Sequence, residues 1–184
     1  IMLPAVQTEL LKALKETGKP VVFVMLTGSA LAVPWENENI PAIVNAWYGG
    51  QSGGTAVADV LFGDYNPAGR LPVTFYKSDK DLPGFSDYSM TGRTYRYFNG
   101  QALYPFGFGL SYSTFKYSIP KVPSTIAKGK PVKIFFTLVN TGKTDGEEVA
   151  QLYITHAGAM QKPIRALKGF QRVFLKAGET KTLS

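Results

Sequence analysis

Residues 45–75, NAWYGGQSGGTAVADVLFGDYNPAGRLPVTF, constrain this chain more than any other stretch. They begin with an aromatic pair, Trp47-Tyr48, and run into a glycine-dense turn, Gly49-Gly50-Gln51-Ser52-Gly53-Gly54. Apolar residues at Ala56, Val57, Val60 and Leu61 then share one face over about two helical turns. That spacing predicts a helix over Thr55–Phe62, stopped by Gly63. Asp64 to Arg70 has turn chemistry, and Leu71-Pro72-Val73-Thr74-Phe75 reads as the start of a strand. The residues before this stretch carry an α/β pattern and those after it an all-β pattern. It is the joint.

Ahead of the joint, Val6, Leu10, Leu11 and Leu14 form a helical stripe within Leu3–Glu16, with Pro4 at a tolerated first-turn position and Gly18 after the end. The continuous apolar run Val21–Leu26 predicts a parallel strand covered on both faces. Thr27-Gly28-Ser29-Ala30 is a turn, and Leu31-Ala32-Val33 a second short strand or extended segment. Glu36-Asn37-Glu38-Asn39 reads as a solvated loop, and Pro41 as the start of a helix through Ile43, Val44 and Trp47. Helix, strand, helix, helix is the closing order of a parallel α/β layer, whose further strands are expected upstream.

Behind the joint, residues 77–117 show little periodicity. Arg93-Thr94-Tyr95-Arg96-Tyr97 alternates like a strand. The stretch Leu103–Tyr112 is too rich in aromatics and glycine for a flexible linker, so its rings are expected to pack between two layers. From Tyr117 the pattern is all-β. Strands are predicted over Val132–Asn140, Glu148–Thr155 and Arg165–Leu175, with a fourth beginning at Lys181 and turn chemistry at Thr141–Gly146. This spacing predicts a partial sandwich of the immunoglobulin or fibronectin type. The expected organisation is therefore an α/β part over 1–78, an aromatic connector over 79–116 and a β-sandwich over 117–184.

Composition narrows the chemistry. The chain has no cysteine and one histidine, His156. Disulfides, thiolate catalysis and multi-histidine metal sites are thereby excluded. The net charge of +7 comes from dispersed lysines and arginines. No basic cluster marks a nucleic-acid surface, so nucleic acid is not an expected partner. No apolar run approaches the ~20 residues of a membrane-spanning helix.

The glycine turn at Gly49–Gly54 fails both GxxxxGK[ST] and GxGxxG, and it follows a predicted helix where a phosphate loop needs a strand. Close packing of a turn on a helix explains it better, and no cofactor is expected. Glu36, Glu38, Asp59, Asp64, Asp79, Asp81 and Asp87 supply carboxylates, but no pair can be set across a glycosidic bond from sequence. His156 reads as a surface or turn histidine. Arg93, Tyr95 and Trp47, with Tyr88, Arg96 and Tyr97, are candidates for a sugar-stacking rim. Ring faces pack on C–H surfaces while an arginine meets hydroxyls. Interdomain packing of the same rings is the competing reading.

Several long motifs occur together: LPAVQTELLKAL, GKPVVFVMLTGSALAVPW, AWYGGQSGGTAVADVLFGDYNPAGRLPVTF, GRTYRYF, LYPFGFGLSYSTF, VNTGKTDGEEVAQLYI and LKGFQRV. In this order they resemble the C-terminal portion of glycoside hydrolase family 3, in its β-glucosidase and β-xylosidase branches. The resemblance implies the end of an α/β sandwich followed by a fibronectin type III-like module. It implies a parent that hydrolyses β-linked glucosides or xylosides from the non-reducing end with retention. The nucleophilic aspartate of that family sits on an N-terminal barrel, and the acid/base glutamate lies upstream of Leu3-Pro4-Ala5-Val6-Gln7. No catalytic residue therefore transfers to this chain, which is expected to be inactive alone, with the barrel and an upstream α/β segment as its partners. A periplasmic or secreted location is implied in the same way. The alternative is a carbohydrate-binding or scaffolding module using Arg93, Tyr95 and Trp47.

Overall fold

Five elements make up the α/β part: α1 (Ala5–Glu16), β1 (Val22–Met25), α2 (Pro34–Asn39), β2 (Ala42–Asn45) and α3 (Gly53–Phe62). They belong to a computed structural model that describes residues 1–155 and 163–184. Helix α1 buries Leu11, while Val6, Leu10 and Leu14 of the same stripe face solvent. The hydrophobic face of this helix is only partly used within the chain. Gly63 ends α3 in the left-handed conformation at φ 87°, its N–H donating to the Val60 carbonyl. A glycine takes that geometry without a Cβ penalty.

Two expectations for residues 34–47 are overturned. Glu36–Asn39 is not a solvated loop but most of α2, with Pro34 in the first turn and Asn39 Nδ2 donating to the Trp35 carbonyl. Residues 42–45 are not helical but form β2, paired in parallel with β1 from Val22↔Ala42 to Met25↔Asn45. Short apolar runs do not distinguish helix from strand by period. Here the β-branched pair Ile43-Val44 and an open ladder on β1 decide for strand. The glycine turn consequently follows a strand after all. Leu31–Val33 contributes a single bridge, Ala32 to Met2.

Leu71–Phe75 does not become a regular strand either, because Pro72 has no N–H to give a ladder. Phe75 alone bridges to Tyr104, while Leu71 exchanges backbone bonds with Phe108 and Gly107. Phe75 is fully buried with Met25 and Val33. Trp47 and Tyr104 meet it edge-on, with ring centroids at 6.2 and 5.9 Å.

Residues 93–97 are a further correction. Their alternation predicts a strand, but they form one helical turn, α4 (Thr94–Tyr97). Tyr97 and Phe98 N–H groups donate back to the carbonyls of Arg93 and Thr94. Thr94 sits at φ 57°, outside the region that suits a β-branched residue, and its N–H is held by the Tyr76 hydroxyl at 2.7 Å.

The remaining elements are β3 (Phe115–Tyr117), β4 (Phe136–Asn140), β5 (Gly146–Ile154), β6 (Ala166–Leu175) and β7 (Thr180–Leu183). One sheet runs β3-β4-β7 and the other pairs β5 with β6, all antiparallel. The ladder of β4 is shorter than the apolar run 132–140, with Phe135 bridging Lys121 just before it. Leu138 and Leu183 of one sheet pack with Ala150, Val173 and Leu175 of the other, giving a shared core. Asn140 is fully buried and fully engaged. It donates to the Thr144 and Leu175 carbonyls and accepts from Ser113 Oγ and the Gly142 N–H, which fixes the 141–145 turn.

Candidate functional site

The joint reaches the β-sandwich through two side-chain networks. Arg70 Nη2 lies 2.5 Å from Glu148 Oε2, and both side chains are about nine-tenths buried. Tyr117 donates to the other Glu148 oxygen at 3.0 Å. Burial, then the Glu148 charge, pushes the Tyr117 hydroxyl well above the usual tyrosine range. The second network is built on Asn66. Its amide nitrogen donates to the Asp145 carbonyl, and its oxygen accepts from Ser111 Oγ and the Tyr112 N–H. Beside it, Tyr65 donates to Glu147 and accepts from Arg172, which also pairs with Glu147. Hydrogen bonding to Arg172 holds the Glu147 carboxyl below its ordinary range.

The connector lies across this junction. Phe106 stacks on Tyr95 at 4.3 Å, and Phe108 stacks on Tyr104 at 5.5 Å. Tyr95 meets Tyr153 edge-on and accepts from the Leu167 N–H. Gln151 Nε2 donates to the Gly107 carbonyl, and the Tyr153 hydroxyl donates to Gln151 Oε1. An open cleft of about 700 Å³ runs along this seam, with Arg70, Glu148, Tyr153 and Arg165 on its walls. Its polar groups are largely bonded to one another, which suits a brace. Of the rings of residues 103–112, which composition predicts to pack between layers, Tyr104 and Phe106 are partly buried here, whereas Phe108 and Tyr112 are exposed.

A different character belongs to residues 79–93. This segment bends around a hollow of about 610 Å³ lined by Asp79, Phe85, Asp87, Tyr88, Met90 and Arg93, among others. Arg93 holds the bend from inside. Its Nη2 donates to the carbonyls of Asp87 at 2.6 Å and Gly84 at 3.2 Å, and its Nε to that of Ser89 at 3.2 Å. Asp87 Oδ1 accepts the Ser89 N–H at 2.8 Å. That bond first, then the Ser89 hydroxyl and the Arg93 charge, hold the Asp87 carboxyl below its ordinary value of 3.8. Phe85 and Tyr88 project from this pinned loop at 98% and 90% exposure.

The three rim candidates therefore occupy three neighbourhoods. Trp47 packs on Phe75, Tyr95 on Phe106 and Tyr153, and Arg93 inside the 79–93 loop, where Tyr88 joins it. His156 lies outside the described residues. Among the carboxylates, Glu36 is not solvated as expected but 3% exposed, accepting from Thr8 Oγ1 at 2.7 Å. Asp79 and Asp87 share the loop hollow. Sequence reading missed Phe85. The signal available was a phenylalanine set in turn residues, Pro83-Gly84-Phe85-Ser86, with no periodic apolar partner. Among the described residues, no three acidic or histidine side chains gather as a metal site.

Comparison with known proteins decides the family. Residues 1–112 match the glycosyl hydrolase family 3 C-terminal domain, and residues 148–184 match a fibronectin type III-like domain. This chain belongs to glycosyl hydrolase family 3. It is 54% identical over 182 residues to a xylan 1,4-β-xylosidase of Xylanibacter ruminicola, covering 99% of this chain and 21% of that protein. It is 43% identical over 199 residues to a periplasmic β-glucosidase of Salmonella typhimurium, covering 100% of this chain and 26% of that protein. Among solved structures, β-glucosidase 3B from Thermotoga neapolitana, in complex with α-D-glucose, superposes with a TM-score of 0.88. That match has 33% identity and covers 99% of this chain and 28% of the solved one. The chain thus spans about a fifth to a quarter of the curated relatives it matches. Its family 3 α/β portion is followed by the fibronectin type III-like β-sheets.

Proposed function

We propose that this chain is the C-terminal portion of a retaining, exo-acting β-glycosidase that removes xylosyl or glucosyl units from the non-reducing end of β-linked substrates. The observation that carries this reading is the identity of 54% to a xylan 1,4-β-xylosidase along almost the whole chain. In this reading the catalytic aspartate and glutamate lie on other parts of the enzyme, and the chain alone does not turn over substrate. The two-stranded parallel sheet and the exposed stripe of α1 support it, since both offer surface for a missing barrel and α/β segment to cover.

The chain's own task follows from its joints. Residues 1–78 complete the α/β layer, 79–116 connect, and 117–184 form a β-sheet buttress fastened through Arg70–Glu148 and Asn66. Arg93, Tyr95 and Trp47 act on the substrate wall indirectly, by setting the loops and rings around them. The periplasmic relative favours a periplasmic or secreted enzyme. The test is turnover of aryl β-xyloside and aryl β-glucoside by the product of the whole gene. Release of the aryl group with retained anomeric configuration supports the reading, and no turnover of either substrate defeats it.

A further inference from the structure

We propose that Asn99 is a covalent modification site, deamidating spontaneously through Gly100 to aspartate and isoaspartate. The reaction is independent of glycoside chemistry and needs only water and two neighbouring residues of this chain. The Gly100 backbone nitrogen attacks Asn99 Cγ and closes a succinimide ring. The carboxamide nitrogen leaves as ammonia, taking the Gly100 amide proton with it. Water then opens the ring at one of its two carbonyls. Opening at Cγ gives aspartate. Opening at the main-chain carbonyl gives isoaspartate, whose backbone runs through the former side chain. Water enters, ammonia leaves, and nothing is oxidised or reduced.

Of the six asparagines, only Asn99 precedes a glycine, and only there is the nucleophile free. Asn66 is followed by Pro67, which has no N–H to lose. After Asn39, Asn45 and Asn140 the next N–H is already committed. Ile40 donates to the Glu36 carbonyl, Ala46 to that of Met25 and Thr141 to that of Thr114. Asn37 lies within α2, and its Oδ1 accepts the Tyr104 hydroxyl at 2.7 Å. Asn99 and Gly100 belong to no helix or strand. Among the described residues, neither the Asn99 carboxamide nor the Gly100 N–H has a hydrogen-bond partner. The Asp145-Gly146 step could close the same ring but is held. Gly146 is buried at the start of β5, and Asp145 Oδ1 accepts the Ala177 N–H at 2.8 Å.

The glycine that makes Asn99 labile is also required by packing. A Cβ on Gly100 would collide with the Phe98 ring, which Tyr76 meets edge-on at 4.9 Å. A bulkier residue that would slow ring closure therefore has no room here. Both flanks are anchored, the Phe98 N–H on the Thr94 carbonyl and the Leu103 N–H on that of Phe75. Isoaspartate adds a backbone atom to the short span between those anchors, so its formation loosens the Phe75–Tyr104 bridge.

The test ages the folded product of the whole gene in mildly alkaline buffer and maps its peptides by mass over time. The peptide holding Asn99 should gain the mass of an NH₂-to-OH exchange at least about tenfold faster than the peptides holding the other five asparagines. The aged peptide should also accept a methyl group from S-adenosylmethionine through an isoaspartate methyltransferase, and Asn99→Gln should abolish that acceptance. A smaller rate gap, or no conversion, overturns the site, because the folded enzyme then restrains Gly100. Mass gain without methyl acceptance means direct hydrolysis and overturns the route through Gly100. The readout is a covalent change, so it stands or falls whether or not the whole product hydrolyses a glycoside.

Discussion

Arg70 and Glu148 meet at 2.5 Å between the joint and strand β5, with Tyr117 on the second carboxylate oxygen. The pair ties residues that are 78 apart in sequence, and each side chain is about nine-tenths buried. Removing one partner leaves the other charge buried without compensation, which costs about 3–5 kcal/mol. Arg70→Met should therefore lower stability strongly in urea unfolding, and Arg70→Met/Glu148→Leu should recover at least half of the loss. In Glu148→Gln the Tyr117 hydroxyl should ionise at lower pH than in the parent, seen as an earlier phenolate absorbance.

Asn66 makes three hydrogen bonds that fasten the joint to the connector and to the 141–145 turn. Asn66→Ala strands their partners, at a cost of about 1–3 kcal/mol. Hydrogen exchange should then quicken at Tyr112, whose N–H loses its acceptor, while β1 and β2 keep their protection. Equal loosening of β1 would contradict the local role.

Two glycines at similar φ separate backbone strain from close packing. Gly107 has φ 80°, and a Cβ there would collide with Gln151 and Tyr153. Gly178 has φ 76° with open space around it. Gly178→Ala should cost only the left-handed penalty, about 1–2 kcal/mol. Gly107→Ala should cost that and more, because it also breaks the Gln151–Gly107 contact. Thermal unfolding of the two variants tests the order.

Asp87 has a depressed pKa in the folded chain, chiefly from the Ser89 N–H. A carboxyl held low contributes stability above its unfolded pKa, and that contribution is lost as pH falls through the folded value. The side-chain carbon of Asp87 should thus titrate below 3.8, and Ser89→Ala, which removes the hydroxyl bond alone, should bring it part of the way back. The loop should loosen in acid, not in base.

Much of this architecture is legible in the sequence where period and turn chemistry agree. The stripe of α1, the run of β1, Gly63 after α3 and the long strands β5 and β6 are such cases. Residues 42–45 and 93–97 are not, because their short patterns fit two periods. Pairing with β1 settles the first, and backbone bonds from the Tyr97 and Phe98 N–H groups to the Arg93 and Thr94 carbonyls settle the second. Glu36 looks solvated beside Asn37 and Glu38, yet α1 packs over it through Thr8. The site is less legible than the fold. Tyr88 and Arg93 can be named from sequence, but only the bend of residues 79–93 brings them to Phe85 and Asp87. Trp47 and Tyr95, equally aromatic, are turned toward other rings.

The central claim is that this chain supports β-glycoside hydrolysis without carrying it out. The most direct test assays an aryl β-xyloside and an aryl β-glucoside with the 184-residue chain and, in parallel, with the product of the whole gene. Turnover by the whole product and none by the chain is the predicted result. Turnover by the purified chain, or none by the whole product, would contradict it.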